Sequence, residues 1–159
     1  MLHAMFAEEK WARGAYSLWT GGEDSATWTA ARAKKALDDW YGATDGEETL
    51  ETIHELCDGE PEDIAWDLVR AIDLLRIALA AQYIDATQCR AEIATIGKAL
   101  QAAYGSWEQL AKAFEAGMHA WQTSSGVTDP KPRGRVQRNL PVLRAEIWPA
   151  VDFKSQLGA

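Results

Sequence analysis

The stretch AWDLVRAIDLLRIALAAQYID, Ala65 to Asp85, limits the fold more than any other part of the chain. On a helical wheel Ile64, Leu68, Ile72, Leu75, Leu79 and Tyr83 form one apolar stripe, in steps of four, four, three, four and four. Trp66, Leu74 and Ile77 fall on the opposite side. A helix that is apolar on two faces must be covered on two sides. The spacing therefore predicts a central helix near residues 62–82, with other helices packed round it.

Four charges interrupt this helix: Asp67, Arg70, Asp73 and Arg76, three residues apart. Each step turns the ladder by about 60°, so it winds round the helix instead of lining one edge. Neighbours in the ladder can meet at i,i+3. A charge in a covered helix must be paired or hydrogen-bonded, since an isolated buried ion costs several kcal/mol. One reading is an internal ion-pair network that fixes how the helices dock. Another is a polar pocket, in which Arg70 or Arg76 binds an anionic ligand or Asp67 and Asp73 do acid–base work. A surface for a partner protein is the third.

Helical spacing continues on both sides, and strand alternation is hard to find. A first helix is expected from about His3 to Trp19, with Trp11, Ala15 and Leu18 on one face. Asp24 or Ser25 is expected to cap a second helix through Ala33, Leu37 and Trp40, which Gly42 stops. A short third helix turns Leu50, Ile53, Leu56 and Cys57 inward. Pro61 suits the first turn of the central helix. Asp85 with Gln88 opens a fifth helix striped by Cys89, Ile93, Ile96, Leu100 and Ala103. Ser106 with Gln109 opens a sixth, striped by Trp107, Leu110, Phe114, Met118 and Trp121. Gly117 lies inside that helix, where close approach of a neighbour would explain it. Residues 122–139, rich in turn formers, read as a loop. Residues 140–159 read as a short helix and an extended piece docked on the body. The expectation is an all-α, single-domain bundle of about six helices over residues 1–159.

The chain has 159 residues, enough to bury a core without disulfides or metal. Two cysteines, Cys57 and Cys89, form no metal-binding or disulfide pattern and point to a reducing compartment. No charged N-terminal region leads into a long apolar run, and no span of membrane length is found, so a cytoplasmic protein is expected. Net charge is −8, unevenly spread: residues 1–121 hold 10 Lys/Arg against 21 Asp/Glu, and residues 122–159 hold 6 against 3. Between Leu37 and Leu68 there are twelve acids and no Lys or Arg. Such a field repels nucleic acid and attracts basic partners.

Several short motifs in order, LDDWYG, ETLETIHEL, AWDLVRAIDLLRIALAAQYID and LQAAYGSWEQLAKAFEAGMHAW, resemble the bacterial domain-of-unknown-function family 1266. The resemblance covers roughly Leu37 to Trp121, and the closing IWPAVDF is similar to the family's final segment. Trp66, Asp67, Arg70, Tyr83, Trp107, Gly117 and Trp121 fall on its recognisable positions. Where the family pattern carries Gly before the Tyr, this chain has Gln82. The resemblance implies a helical bacterial protein and brings no reaction with it.

No nucleophile elbow, dinucleotide fingerprint or phosphate loop is present. Glu51 and His54 form a single Glu-x-x-His without the second copy that carboxylate metal sites use. No cofactor, metal or catalytic residue is therefore expected. The surface feature that stands out is the acidic belt. It suggests a non-enzymatic protein–protein interaction domain, of the kind immunity proteins and antitoxins use against a basic partner. Asp45, Glu47, Glu48, Glu51 and Glu55 would steer that partner, with Trp40 and Tyr41 as aromatic anchors. The alternative is an enzyme or small-ligand-binding protein with a polar pocket around Asp67, Arg70 and Asp73. No membrane or nucleic-acid partner is expected, and the oligomeric state is left open.

Overall fold

A computed structural model describes residues 6–21, 28–61 and 64–158. Seven α-helices are found among them, and no strand: α1 (Ala7–Thr20), α2 (Ala30–Tyr41), α3 (Gly46–Cys57), α4 (Ile64–Ala80), α5 (Ala86–Ala103), α6 (Trp107–Ser125) and α7 (Lys131–Val142). A π-helical turn (Leu143–Ile147) and a 3-10 turn (Trp148–Ala150) follow directly.

The central position falls to α4, which touches α1, α2, α3, α5 and α6. Both of its apolar faces are used. Leu68, Ile72 and Leu75 are buried on one side, and Trp66, Leu74 and Ile77 on the other. Full burial of such a side chain contributes about 1.5–3 kcal/mol, so α4 is held by its neighbours more than by its own propensity.

Local chemistry sets the helix ends. Asp85 accepts the Gln88 N–H at 2.8 Å and Ser106 accepts the Gln109 N–H at 3.2 Å. The expected caps at Asp24 or Ser25 lie outside the described residues, as does a start at His3. Instead Thr29 caps α2 by accepting the Arg32 N–H at 3.2 Å. Gly42 ends α2 in the left-handed region, at φ 65°. Three stripe residues are not covered as expected. Cys57 and Ala103 are exposed near helix ends, and Trp121 is 37 % exposed.

The seventh helix replaces much of the loop expected over residues 122–139. Its sequence, KPRGRVQRNLPV, has weak helix propensity. Tertiary contacts form it: Val136 is fully buried, and the Asn139 side chain donates to the Leu18 carbonyl of α1 at 3.0 Å. Pro132 sits in the first turn, where its missing N–H has no helical partner to lose.

The eight tryptophans divide into two groups. Trp11 and Trp107 pack with Phe153, and Trp148 stacks on Trp107, which together fix the C-terminal segment. Each also donates its indole N–H: Trp11 to the Phe153 carbonyl at 2.8 Å, Trp107 to Val151 at 2.9 Å and Trp148 to Gly14 at 3.1 Å. The other five surround the ladder side of α4.

Candidate functional site

Every fourth or third residue of α4 from Trp66 onward, Trp66, Arg70, Asp73 and Arg76, faces one surface groove. Its main chamber holds about 520 Å³ and is walled by Trp19 of α1, Trp40 and Tyr41 of α2, Trp121 of α6 and Lys131 and Arg135 of α7. A side chamber of about 260 Å³ adds Thr20, Trp28 and Arg76. Trp19, Trp40, Asp73 and Arg135 border both chambers. The main chamber lies within the size range of small-molecule sites, which are mostly apolar with a few convergent polar groups.

The ladder splits into two unlike pairs. Asp73 accepts from Arg76 Nε at 2.9 Å and pairs with Nη2 at 2.8 Å, and both side chains are nearly buried. Arg76 is also stacked between Tyr16, at 5.0 Å, and Trp28, at 5.3 Å. Asp67 and Arg70 meet more loosely, at 3.5 Å. Arg70 lies over the Trp66 ring at 5.0 Å. Asp67 does not line the groove. Its carboxylate lies near Gly59, where an added Cβ would stand 2.5 Å from Oδ2. Of the three residues expected around a polar pocket, Arg70 and Asp73 line the groove, joined by Arg76, while Asp67 does not, because the ladder winds away from the opening at its first step.

Two buried N–H groups on the groove-lining residues have no acceptor among the described residues: Arg76 Nη1 and Trp66 Nε1. An unpaired buried donor costs about 1–3 kcal/mol, so such a group calls for an explanation. Trp66 is otherwise well packed, with Trp19 at 5.5 Å, Phe114 at 5.2 Å and Trp121 at 5.6 Å.

The acidic belt has three fates. Trp40, 62 % exposed, and Tyr41, half-buried, belong to the groove wall. Asp45 caps α3 by accepting the Glu48 N–H at 2.9 Å, while the Glu48 carboxylate accepts from Thr44 N at 2.6 Å and Oγ1 at 2.8 Å. Glu47, Glu51 and Glu55 are exposed on α3 and form no ion pair among the described residues.

Other chemistry is weakly served. Cys57 is exposed at the end of α3, yet partial desolvation of its sulfur, aided by Glu92 and Asp58, pushes the thiol up to about 11. Burial, aided by Glu9, pushes Cys89 up to about 12. Neither is a ready thiolate near neutral pH. His54 lies 3.5 Å from Glu92, and no cluster of three metal-ligating side chains occurs among the described residues. No described helix is long and apolar enough to cross a membrane.

Trp19, Trp28, Trp121 and Arg135 were not singled out as site residues by sequence reasoning. The available signal was the excess of tryptophan over phenylalanine, eight to three, with several of them near helix ends.

The fold and groove define an all-helical domain with an aromatic, charge-bearing cleft on its central helix. The chain belongs to the family described as protein of unknown function (DUF1266), which matches residues 59–144. That match includes Trp66, Arg70, Asp73, Arg76, Trp121 and Arg135. No curated protein and no solved structure matches the chain.

Proposed function

We propose that this protein binds a small molecule in the groove along α4, with Arg70, Asp73 and Arg76 as its polar floor and Trp40 and Trp121 on its rim. One observation carries the reading: five of eight tryptophans converge on the stretch where the central helix carries its charges. Charges in a covered helix are expensive, and apolar residues of like volume often stabilise as well or better. A site that needs those charges accounts for their placement. The test is a thermal-shift screen of a library with mixed charge, run on the wild type, Trp40→Ala and Trp121→Ala. At least one compound should raise the melting temperature of the wild type and do so much less in both variants. Absence of any such compound, or shifts insensitive to the variants, overturns the reading.

A second reading is favoured by α3. Glu47, Glu51 and Glu55 stand four residues apart, and like charges at that spacing cost about 0.2–0.5 kcal/mol per pair. An exposed stripe of this kind suits a basic protein partner, as in immunity- or antitoxin-type binding. Capture of a basic protein at low salt, lost in a Glu47→Lys, Glu51→Lys, Glu55→Lys triple variant, supports it. Equal capture by the variant removes it.

A further inference from the structure

We propose that the ligand of this groove is a planar aromatic anion, a ring bearing a carboxylate or a phosphate. This rests on the groove being a ligand site, and goes on to the chemistry it selects. A ring of tryptophans beside an aspartate suggests, at first sight, a cage for an organic cation. The geometry points the other way, because the protein's own cations already lie over three of the five rings. Arg70 lies over Trp66 at 5.0 Å, Arg135 over Trp19 at 4.6 Å and Arg76 over Trp28 at 5.3 Å. A second cation would meet these guanidiniums and Lys131 at the same opening.

Among the described residues the lining has two acids, and each already accepts a hydrogen bond. Asp73 is held by Arg76 at 2.8 Å, and Asp129 Oδ1 accepts the Lys131 backbone N–H at 3.0 Å. The shortage is chiefly of acceptors: Arg76 Nη1 and Trp66 Nε1 are donors without partners among the described residues, and the Thr20 hydroxyl, also unpartnered, can donate as well as accept. Carboxylates and phosphates supply acceptors alone, and their hydrogen bonds with charged donors are the stronger kind. The exposed rings of Trp40 and Trp121 add faces on which a planar group stacks. Cation excess, spare donors and open aromatic faces therefore select one ligand class.

The test is calorimetric titration with probes that share a ring and differ in charge. These are 1-naphthoate, 1-naphthalenemethanol and 1-naphthylmethylammonium, with AMP against adenosine as a second set. At least one anion should bind tenfold or more tighter than its neutral or cationic relatives. Arg135→Gln, an exposed change, should weaken that anion at least fivefold and leave the neutral probes alone. A preference for naphthoate or for AMP separates carboxylate from phosphate. Equal or tighter binding of the ammonium or the neutral probes overturns the anion assignment and leaves the groove as a ligand site. No binding by any of the five overturns the assignment too, and the mixed-charge screen then decides the groove itself.

Discussion

Gly117 of α6 lies so close to Trp66 of α4 that a Cβ on it would stand 2.8 Å from the Trp66 Cβ. That atom is tied to the backbone and cannot swing aside. Gly117→Ala therefore sets a helix-propensity gain of about 1 kcal/mol against overpacking of about 1–3 kcal/mol. Overpacking should win, with a net loss of up to about 2 kcal/mol in urea unfolding. Because Trp66 forms the groove wall, its emission should shift as well. A stabilised Ala variant would mean that α4 and α6 separate freely, contrary to the packing described.

Gln82 occupies the left-handed region at φ 62°, the one described non-glycine residue with positive φ. It closes the turn between α4 and α5. A side chain there costs about 1–2 kcal/mol, offset by the greater chain entropy that glycine loses on folding. Gln82→Gly should stabilise the protein by about 0.5–1 kcal/mol, and Gln82→Val should destabilise it by more than that. Denaturant midpoints of the two variants check this, and a destabilising Gly would place the worth of Gln82 in its side-chain contacts.

The elements legible in the sequence were those fixed by local rules. The stripe Leu110, Phe114 and Met118 is buried, Asp85 and Ser106 do cap their helices, and Gly117 does mark a close approach. The seventh helix was not legible, since Val136 and Asn139 act through contacts to α1 that no local period encodes. The groove was half legible. Arg70, Asp73 and Arg76 announce themselves as charges in an apolar helix. Trp19 and Trp28 join them only through the packing of α1 and α2 on α4, across some fifty residues of sequence. Trp121 reads as the last residue of a core stripe, and only the fold places it at the rim.

The two ladder pairs should differ in worth. Breaking the nearly buried Asp73–Arg76 pair by Arg76→Ala should cost about 3–5 kcal/mol, because a nearly buried carboxylate loses the guanidinium that neutralises it. Arg70→Ala removes a looser contact at 3.5 Å and should cost about 1 kcal/mol, much of it from the Trp66 ring. The double variant Asp73→Leu, Arg76→Met should recover most of the loss. Chemical denaturation of the set decides the matter. A cheap Arg76→Ala would show the pair to be dispensable for the fold, and its retention would then be a matter for the ligand.

Alkaline pH should expose Cys89. Its thiol is pushed from 9.0 up to about 12, by burial first and Glu9 second. A raised folded-state value means the protonated thiol is favoured in the folded chain. The contribution is therefore complete below about pH 9 and is lost as pH rises from there toward 12. At about pH 10.5 the loss should reach about 2 kcal/mol in the wild type, at about 1.4 kcal/mol per unit. Cys89→Ala lacks this dependence, so the gap between the two unfolding free energies should narrow from pH 8 to pH 10.5. A constant gap would mean the thiol ionises as readily in the folded chain as in the unfolded one.

Glu51 stands between Glu47 and Glu55 on the exposed face of α3, four residues from each. Glu51→Lys removes two like-charge neighbours and creates two opposite ones, with Glu47 in the better, N-terminal position relative to the new lysine. The four pair terms together should stabilise the protein by about 0.8–2 kcal/mol at low ionic strength. The gain should shrink toward zero near 1 M salt, where exposed charges are screened within about 3 Å. Thermal melts at the two ionic strengths measure it. If the stripe serves a basic partner, the same substitution weakens that partner's capture while strengthening the fold. That combination separates a surface kept for binding from one kept for stability. A Glu51→Lys variant neither more stable nor less able to bind would leave the stripe a solvated face.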